Sequence, residues 1–498
     1  MVQSHRPPSS VYSADDPLTF FMRPPDSETE EERKIRIQQE EHAKRVSEAI
    51  DEEISKARER LKKSKGDVKL LLLGQAESGK STLQKQFQIM YNPDSLDQER
   101  LSWRIVVYFN IVRSIRRILD TLDAYNDAFE LNDNGNADGY NSNPVTVPSS
   151  PVDSSILLAS LPTTNESARQ IATLRLCLSP LVSAEQSLAD RLSGGVSVSD
   201  SGKGRVYVRS GWQTRTLGLA KRLHRASISS RSSHESGSQS REDIERNTLV
   251  TEVASMLAGS KDHILELWVH PTVRKLIARR KLKLEECAEF FMADVMRVAE
   301  EGYVPTTDDI LHARIQTMGV AEHTFSVDLH GSSVTWHLFD VGGARGQRHI
   351  WVPFFDDANA IIFVAPISAF DQYLEEDPKT NRIDDSLQLF TQICSDPLLK
   401  KVHLVLFLNK IDVLRSKLAN GVQVTKYITS YAPRENEFEP VVNYFRAHFL
   451  QVHRKHNENK RVLYTHLTSV VDTKATQRII ANVRDSVFRG HLKSAALV

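Results

Sequence analysis

The sequence predicts an α/β fold, a doubly wound and mostly parallel sheet interrupted early by a long all-α insertion. Two observations carry this expectation. Apolar runs such as "DVKLLLLG" (Asp67–Gly74) and "NAIIFVAPI" (Asn359–Ile367) are continuous rather than alternating, as in strands buried on both faces. Strands of this kind alternate with helical stretches across Asp67–Leu73 and His323–Val498, whereas the segment from about Met90 to Asp309 carries no comparable strand signal.

In chain order, residues 1–28 are rich in proline and serine, so a disordered tail is expected. From Ser27 to Lys63 the chain is dense in Glu, Lys, Arg and Gln. Ile35, Ile37, Val46, Ile50, Ile54 and Leu61 recur there at spacings of threes and fours. That pattern predicts a long helix over 29–64 with a thin apolar stripe, suited to docking on a partner. The α/β domain is expected over 65–90 and 314–498. Beyond the two runs quoted, its strands are "SVTWHLFD" (Ser333–Asp340), "KVHLVLFLN" (Lys401–Asn409) and "RVLYTHL" (Arg461–Leu467). Residues 91–313 would form the helical domain, with helices at Leu101–Leu122 and across Ile264–Ala299. Its middle, about 132–245, is dominated by Ser, Asn and Gly and is expected to be a flexible low-complexity insertion. One short helix is expected inside it at Leu161–Val182, and no internal repeat is visible.

Composition narrows the function classes. Lys plus Arg balance Asp plus Glu at 64 each, which argues against a nucleic-acid binder. Three scattered cysteines, Cys177, Cys287 and Cys394, make neither a disulfide framework nor a thiolate metal site, and favour a reducing intracellular compartment. No apolar run approaches the ~18 residues of a membrane span. The N-terminus shows no signal-peptide core, no glycine after Met1 and no cysteine before Cys177, so no N-terminal lipidation signal is expected.

Three motifs carry chemistry. "GQAESGKS" (Gly74–Ser81) matches G-x-x-x-x-G-K-[ST], follows a buried strand and opens a helix. Backbone N–H groups there face phosphate oxygens, Lys80 supplies charge to the β/γ phosphates, and the Ser81 hydroxyl is suited to Mg²⁺. "NKID" (Asn409–Asp412) sits at the end of a later strand. Asp412 can accept from the guanine N1–H and 2-amino groups, Asn409 can bond the base edge, and the Lys410 stem can pack beside it; together they select GTP over ATP. "DVGG" (Asp340–Gly343) ends another strand, with Asp340 placed to hold Mg²⁺ through water and the glycines allowing close approach to a γ-phosphate.

These motifs in this order, with a helical domain inserted after the P-loop, resemble the α subunit of a heterotrimeric G protein. "YVPTTDDILHARIQTMG" (Tyr303–Gly319), "FDQYLEEDPKTNRIDDSLQLFTQIC" (Phe370–Cys394) and "YTHLTSVVDTK" (Tyr464–Lys474) resemble further family signatures. The resemblance runs from about Glu30 to Val498, omits the middle insertion and is weakest in the helical domain. It implies a P-loop GTPase domain with a mostly parallel six-stranded sheet plus the inserted helical domain. The implied nucleotide-binding set is Gly74, Gln75, Ala76, Glu77, Ser78, Gly79, Lys80, Ser81 and Thr82, then Leu311, His312, Ala313, Arg314 and Thr317. Asp340, Gly343, Asn409, Lys410, Asp412 and Val470 complete it. By the same resemblance, Arg314 is the catalytic arginine finger, a role for which G-protein α subunits are themselves a reference example. Ser81 and Thr317 would share the Mg²⁺ ion. Implied partners are a βγ dimer, a G-protein-coupled receptor and an effector such as adenylyl cyclase. The implied place is the cytoplasmic face of the plasma membrane, reached through those partners.

The sequence departs from the family where hydrolysis is carried out. Ala344 stands where the family has the glutamine that orients the attacking water, and Ala76 replaces a P-loop glycine. Gln347, three residues beyond Ala344, would face the water from a different height if the segment is helical. "TSVV" (Thr468–Val471) departs from T-C-A-T at three of four positions, leaving the Val470 N–H to meet the guanine oxygen. The expected function is therefore a GTP/GDP-binding α subunit with slow GTP hydrolysis; the alternative is a nucleotide-sensing scaffold regulated by exchange or partner release. Three peripheral expectations complete the reading. "RHIWVPFF" (Arg348–Phe355) would offer an apolar partner-binding face, and Ala495 removes a cysteine open to toxin ADP-ribosylation in many members. The arginines before Ser227 in Arg222–Ser233 mark either a basophilic kinase site or a solvated basic linker.

Overall fold

The computed structural model describes residues 67–133, 165–194, 206–209, 211–213, 241–329, 332–457 and 461–494, with scattered residues between 29 and 52. The chain divides into two units, Met1–Asp67 and Val68–Val498. In the first, the described residues between 30 and 52 are helical, with Arg45 and Glu41 paired at 3.6 Å one turn apart. Of the expected apolar stripe only Val46 is described, and it is exposed. The expected tail, Arg222–Ser233 and Ala495 lie outside the described residues.

The second unit holds a six-stranded sheet. Its strands are β1 (Val68–Leu73), β4 (Val320–Leu329), β5 (Ser332–Val341), β6 (Ala360–Pro366), β7 (His403–Asn409) and β8 (Leu463–Thr468), in the order β4-β5-β1-β6-β7-β8. Only the β4–β5 pair is antiparallel. Alternate residues serve the two faces: Leu71, Leu73, Phe363 and Leu406 enter one core, and Leu70, Leu72, Ile362 and Val405 the other. Five strands fall within two residues of their sequence expectation. β4 did not stand out as an apolar run because it is an edge strand. Ala321, Phe325 and Val327 point inward while Glu322, Thr324, Ser326 and Asp328 are exposed, so its pattern alternates.

Between β1 and β4 lies a helical core built around Trp103–Asp133, whose Ile111, Ile115, Ile118 and Leu122 form a buried stripe. The stretch expected as helical over Ile264–Ala299 is broken at His270. The helix Arg241–Val269 stops there, His270 accepts from the Thr272 N–H at 3.2 Å, and Pro271 opens Pro271–Ala278. Two more helices, Glu286–Ala293 and Val295–Val298, follow. Within 132–245 the expected short helix at Leu161–Val182 is present as Asn165–Ser183, and a second helix, Glu185–Ser193, follows it. Their Leu174, Leu178, Leu181, Leu188 and Leu192 join the same core. Further along, Tyr207–Val208 forms β2, paired with β3 (Gln316–Thr317) in a small separate sheet.

Candidate functional site

A cavity of about 500 Å³ opens beyond the carboxyl end of β1, beside the helix Lys80–Tyr91, and is walled on its far side by the helical region. This is where doubly wound sheets bind ligands. Its lining brings together most of the residues expected from sequence. Ala76, Glu77, Ser78, Gly79, Lys80, Ser81 and Thr82 come from the P-loop, and Leu311, His312, Ala313, Arg314 and Thr317 from the segment ahead of β4. Asp340, Gly343, Lys410, Asp412 and Val470 complete that set. Gly74, Gln75 and Asn409 do not line it; they stand behind the wall.

At the phosphate end, Lys80 Nζ donates to the carbonyls of Gly74 and Gln75 at 2.9 and 2.8 Å. Burial pushes its ammonium down to about 8, against the pull of Asp340. Gly343 approaches so closely that a Cβ there would stand 2.5 Å from both Lys80 Nζ and the Ala76 amide nitrogen. Beside them, Ser81 Oγ lies 3.0 Å from Thr317 Oγ1 and donates to Asp340 Oδ2 at 2.6 Å, and Thr317 Oγ1 donates to the same oxygen at 3.2 Å. Asp340 Oδ1 is buried without a hydrogen-bond partner among the described residues. Two hydroxyls and a carboxylate with an unsatisfied oxygen make a hard, all-oxygen donor set, which fits Mg²⁺.

Arg314 enters from the segment between the helix Thr307–His312 and β3. Its backbone is fixed by Asn110, which accepts from the Arg314 N–H at 2.8 Å and donates to its carbonyl at 2.9 Å. The guanidinium contacts Glu77 and, at 3.2 Å, Glu285 of the helical region. Burial alone would raise the Glu77 carboxyl, yet Arg314, Arg382 and Lys410 together hold it at about 2. Two further ion pairs cross the same cleft, Lys410 with Glu286, and Arg280 with Asp371 at 2.9 Å.

At the base end, Asp412 and Lys410 line the cavity, with Lys410 in the left-handed region at φ 63°. Asn409 has a structural role beside its expected one. It is fully buried, donates to the Ser78 carbonyl at 2.7 Å, and accepts from Thr468 Oγ1 at 3.0 Å and the Val470 N–H at 3.2 Å. Asn409 therefore ties the P-loop to the β8 loop, and the Val470 amide is engaged by Asn409.

The segment after β5 is a 3₁₀ helix, Arg345–Phe354. Ala344 and Gln347 both line the cavity. The Gln347 Oε1 lies 1.7 Å from where a Gly342 Cβ would stand and is buried without a partner among the described residues, so this carboxamide rests on the Gly342 backbone. Trp351 is buried, donating to the Gly342 carbonyl at 2.9 Å, and Phe355 is buried too; in the expected apolar face, Val352 is the large exposed side chain. Arg345 and Arg348 both reach the buried Asp385, at 3.1 and 2.6 Å.

Sequence reading missed several supporting residues. Arg382 donates to Gln75 Oε1 at 2.8 Å, to Glu77 at 3.0 Å and to the Ala76 carbonyl, while Gln75 donates back to the Arg382 carbonyl at 2.6 Å. Arg382 lay inside a signature stretch, but its partners are about 300 residues away and no local pattern reports them. Cys287 and Cys394 are buried, and burial pushes the Cys287 thiol up to about 12, consistent with unreactive side chains.

Comparison with known proteins agrees with this geometry. The family described as G-protein alpha subunit matches residues 44–487. The guanine nucleotide-binding protein alpha-4 subunit of Mycosarcoma maydis is 32% identical, over 97% of this chain and 96% of its own. The G(o) subunit alpha of Geodia cydonium is 26% identical, over 92% of this chain and 98% of its own. The G(s) subunit alpha of Schistosoma mansoni is 36% identical, over 47% of this chain and 64% of its own. A family match across most of the chain, a relative aligned nearly end to end and a cavity built from the family's motifs converge: this chain belongs to the G-protein alpha-subunit family.

Proposed function

We propose that this chain is a guanine nucleotide switch that binds GTP or GDP with Mg²⁺ and relays signals from a seven-helix receptor to an effector, with slow intrinsic GTP hydrolysis. The family's members are GTPases generally; slowness is the reading specific to this chain. One observation carries it: at the start of the Arg345–Phe354 segment the cavity is faced by Ala344, whose side chain can neither donate nor accept.

Ser81, Thr317 and Asp340 would hold the metal, which when bound neutralises charge on the β and γ phosphates. Lys80 and the P-loop amides bind those phosphates, Arg314 supplies positive charge to the transferring group, and Asp412 selects guanine. The water that attacks the γ-phosphate lacks its usual orienting amide. Loss of one preorganised polar group costs about 3–4 kcal/mol of transition-state stabilisation, roughly 10²–10³ in rate. Ala76 lies against Gly343 in the same corner and tightens it. Single-turnover hydrolysis by purified wild type and Ala344→Gln is the test: the substitution should raise the rate roughly 10²-fold, and equal rates would overturn the slow-hydrolysis reading. The second reading, a scaffold switched by exchange alone, is favoured by Ala344 and Ala76 together and requires no measurable wild-type turnover.

Partners follow the same reading. The N-terminal helix and the Arg348–Phe355 flank would meet a βγ dimer, and the C-terminal helix Thr473–Ser494 would meet the receptor. An effector enzyme such as adenylyl cyclase is a family-level choice. Among the described residues no helix is long and apolar enough to cross a membrane. We place the protein peripherally at the cytoplasmic face of the plasma membrane, held there by βγ and receptor.

A further inference from the structure

The middle insertion contributes a piece of the nucleotide site. Val206–Arg209, Gly211 and Trp212 lie far along the chain from Arg314–Gly319, the segment that resembles the family's first switch, yet β2 runs parallel to β3, with Tyr207 opposite Gln316 and Val208 opposite Thr317. The Met318 N–H extends the pairing, donating to the Val208 carbonyl at 2.9 Å. Parallel strands need a long crossover, and the helices between these two segments supply it.

The same stretch is anchored on its other side. Val206, Val208 and Trp212 are buried in the helical core. Trp212 meets Trp103 edge to face at 5.0 Å, and Lys85 Nζ sits 4.1 Å over the Trp103 ring while donating to the Ile310 and Ala313 carbonyls just ahead of Arg314. Tyr207 and Val208 also line the cavity. The segment thus joins the helical core to the backbone of Thr317, whose hydroxyl stands in the oxygen cluster with Ser81 and Asp340.

We infer that Val206–Arg209 with Gly211 and Trp212 form a positioning element for the first switch, a clasp that sets the register of Gln316–Thr317, presents Thr317 to Mg²⁺ and slows escape of a nucleoside diphosphate. This rests on the nucleotide-binding reading above. The first switch cannot move away from the phosphates without breaking the β2–β3 bonds or pulling Trp212 from its pocket. Loss of a hydrogen bond of this kind or of an aromatic edge contact corresponds to about tenfold in a rate.

The test uses the full-length chain in three forms: residues 206–212 replaced by a Gly/Ser run of equal length, Trp212→Ala, and the conservative Trp212→Phe. Dissociation of a fluorescent GDP analogue is followed with and without Mg²⁺, and hydrogen exchange is read at the Met318 amide. The replacement and Trp212→Ala should release the analogue about tenfold faster, lose most of the slowing by Mg²⁺, and expose the Met318 amide to exchange. Trp212→Phe should stay close to wild type in all three. Unchanged release despite an exposed Met318 amide would overturn the proposal. So would faster release with Met318 still protected, since that marks a merely loosened helical core. If wild type binds no guanine nucleotide, the function reading fails by itself; the Met318 amide then decides the clasp alone, with equal exchange in wild type and Trp212→Ala overturning it.

Discussion

The end of the site that grips a nucleotide and the corner that would hydrolyse it share one cavity but are furnished very differently. At the end expected to hold phosphates and base, several polar groups have defined places: Lys80 on two carbonyls, Ser81 and Thr317 on Asp340, Asn409 bridging two loops. In the corner proposed for hydrolysis, Ala76 and Ala344 line the cavity with methyl groups and Gln347 turns its carboxamide onto Gly342. Ground-state binding and transition-state stabilisation are separable demands, and a chain can keep the first while relaxing the second.

That contrast can be broken from either side. The largest effect should come from the gripping end: Lys80→Ala removes a buried charge that the phosphates need, which is expected to weaken GDP binding by at least about 30-fold, from roughly 2 kcal/mol. Calorimetric titration checks this, and an affinity unchanged by the substitution would show that the phosphates sit elsewhere. A smaller effect is expected in the hydrolytic corner. Gln347→Leu should change single-turnover hydrolysis by no more than about twofold. A loss tenfold or larger would assign the water-orienting task to Gln347 and remove the main premise for slow turnover.

Smallest is a pH effect on stability at the boundary between the two regions. Glu77 is held at about 2 against an ordinary value of 4.5. A depressed carboxyl stabilises the fold fully above its unfolded value, and that contribution fades as pH falls from 4.5 toward 2. Acid unfolding followed by circular dichroism should therefore show a shallower limb over that window in Glu77→Gln. An identical limb would mean that Arg314 and Arg382 do not depend on this carboxylate.

The gripping end was also the more legible in sequence. Its chemistry lies in short contiguous motifs on strands buried from both faces, and a continuous apolar run announces such strands. β4 escaped notice because an edge strand alternates. The helix at Asn165–Ser183 was legible in its leucine spacing, whereas Glu185–Ser193 was missed because its few leucines lie in a serine-rich background. Neither the Gln75–Arg382 exchange of hydrogen bonds nor the pairing of Val208 with Thr317 leaves a local trace. Each joins residues that meet only after the sheet and the helical core have formed. The motif of Asn409 was recognised, but its ties to the P-loop and the β8 loop could not be read from it.

The ion pairs across the cleft, Arg314 with Glu285, Lys410 with Glu286 and Arg280 with Asp371, carry one more consequence. Parting the helical region from the sheet domain is a separation of opposite charges, so mobile ions compete directly with the closed form. Screening distances shrink from about 10 Å at 0.1 M salt to about 3 Å at 1 M, and partly buried contact pairs feel this less than exposed ones. Added salt is therefore expected to ease that separation only modestly.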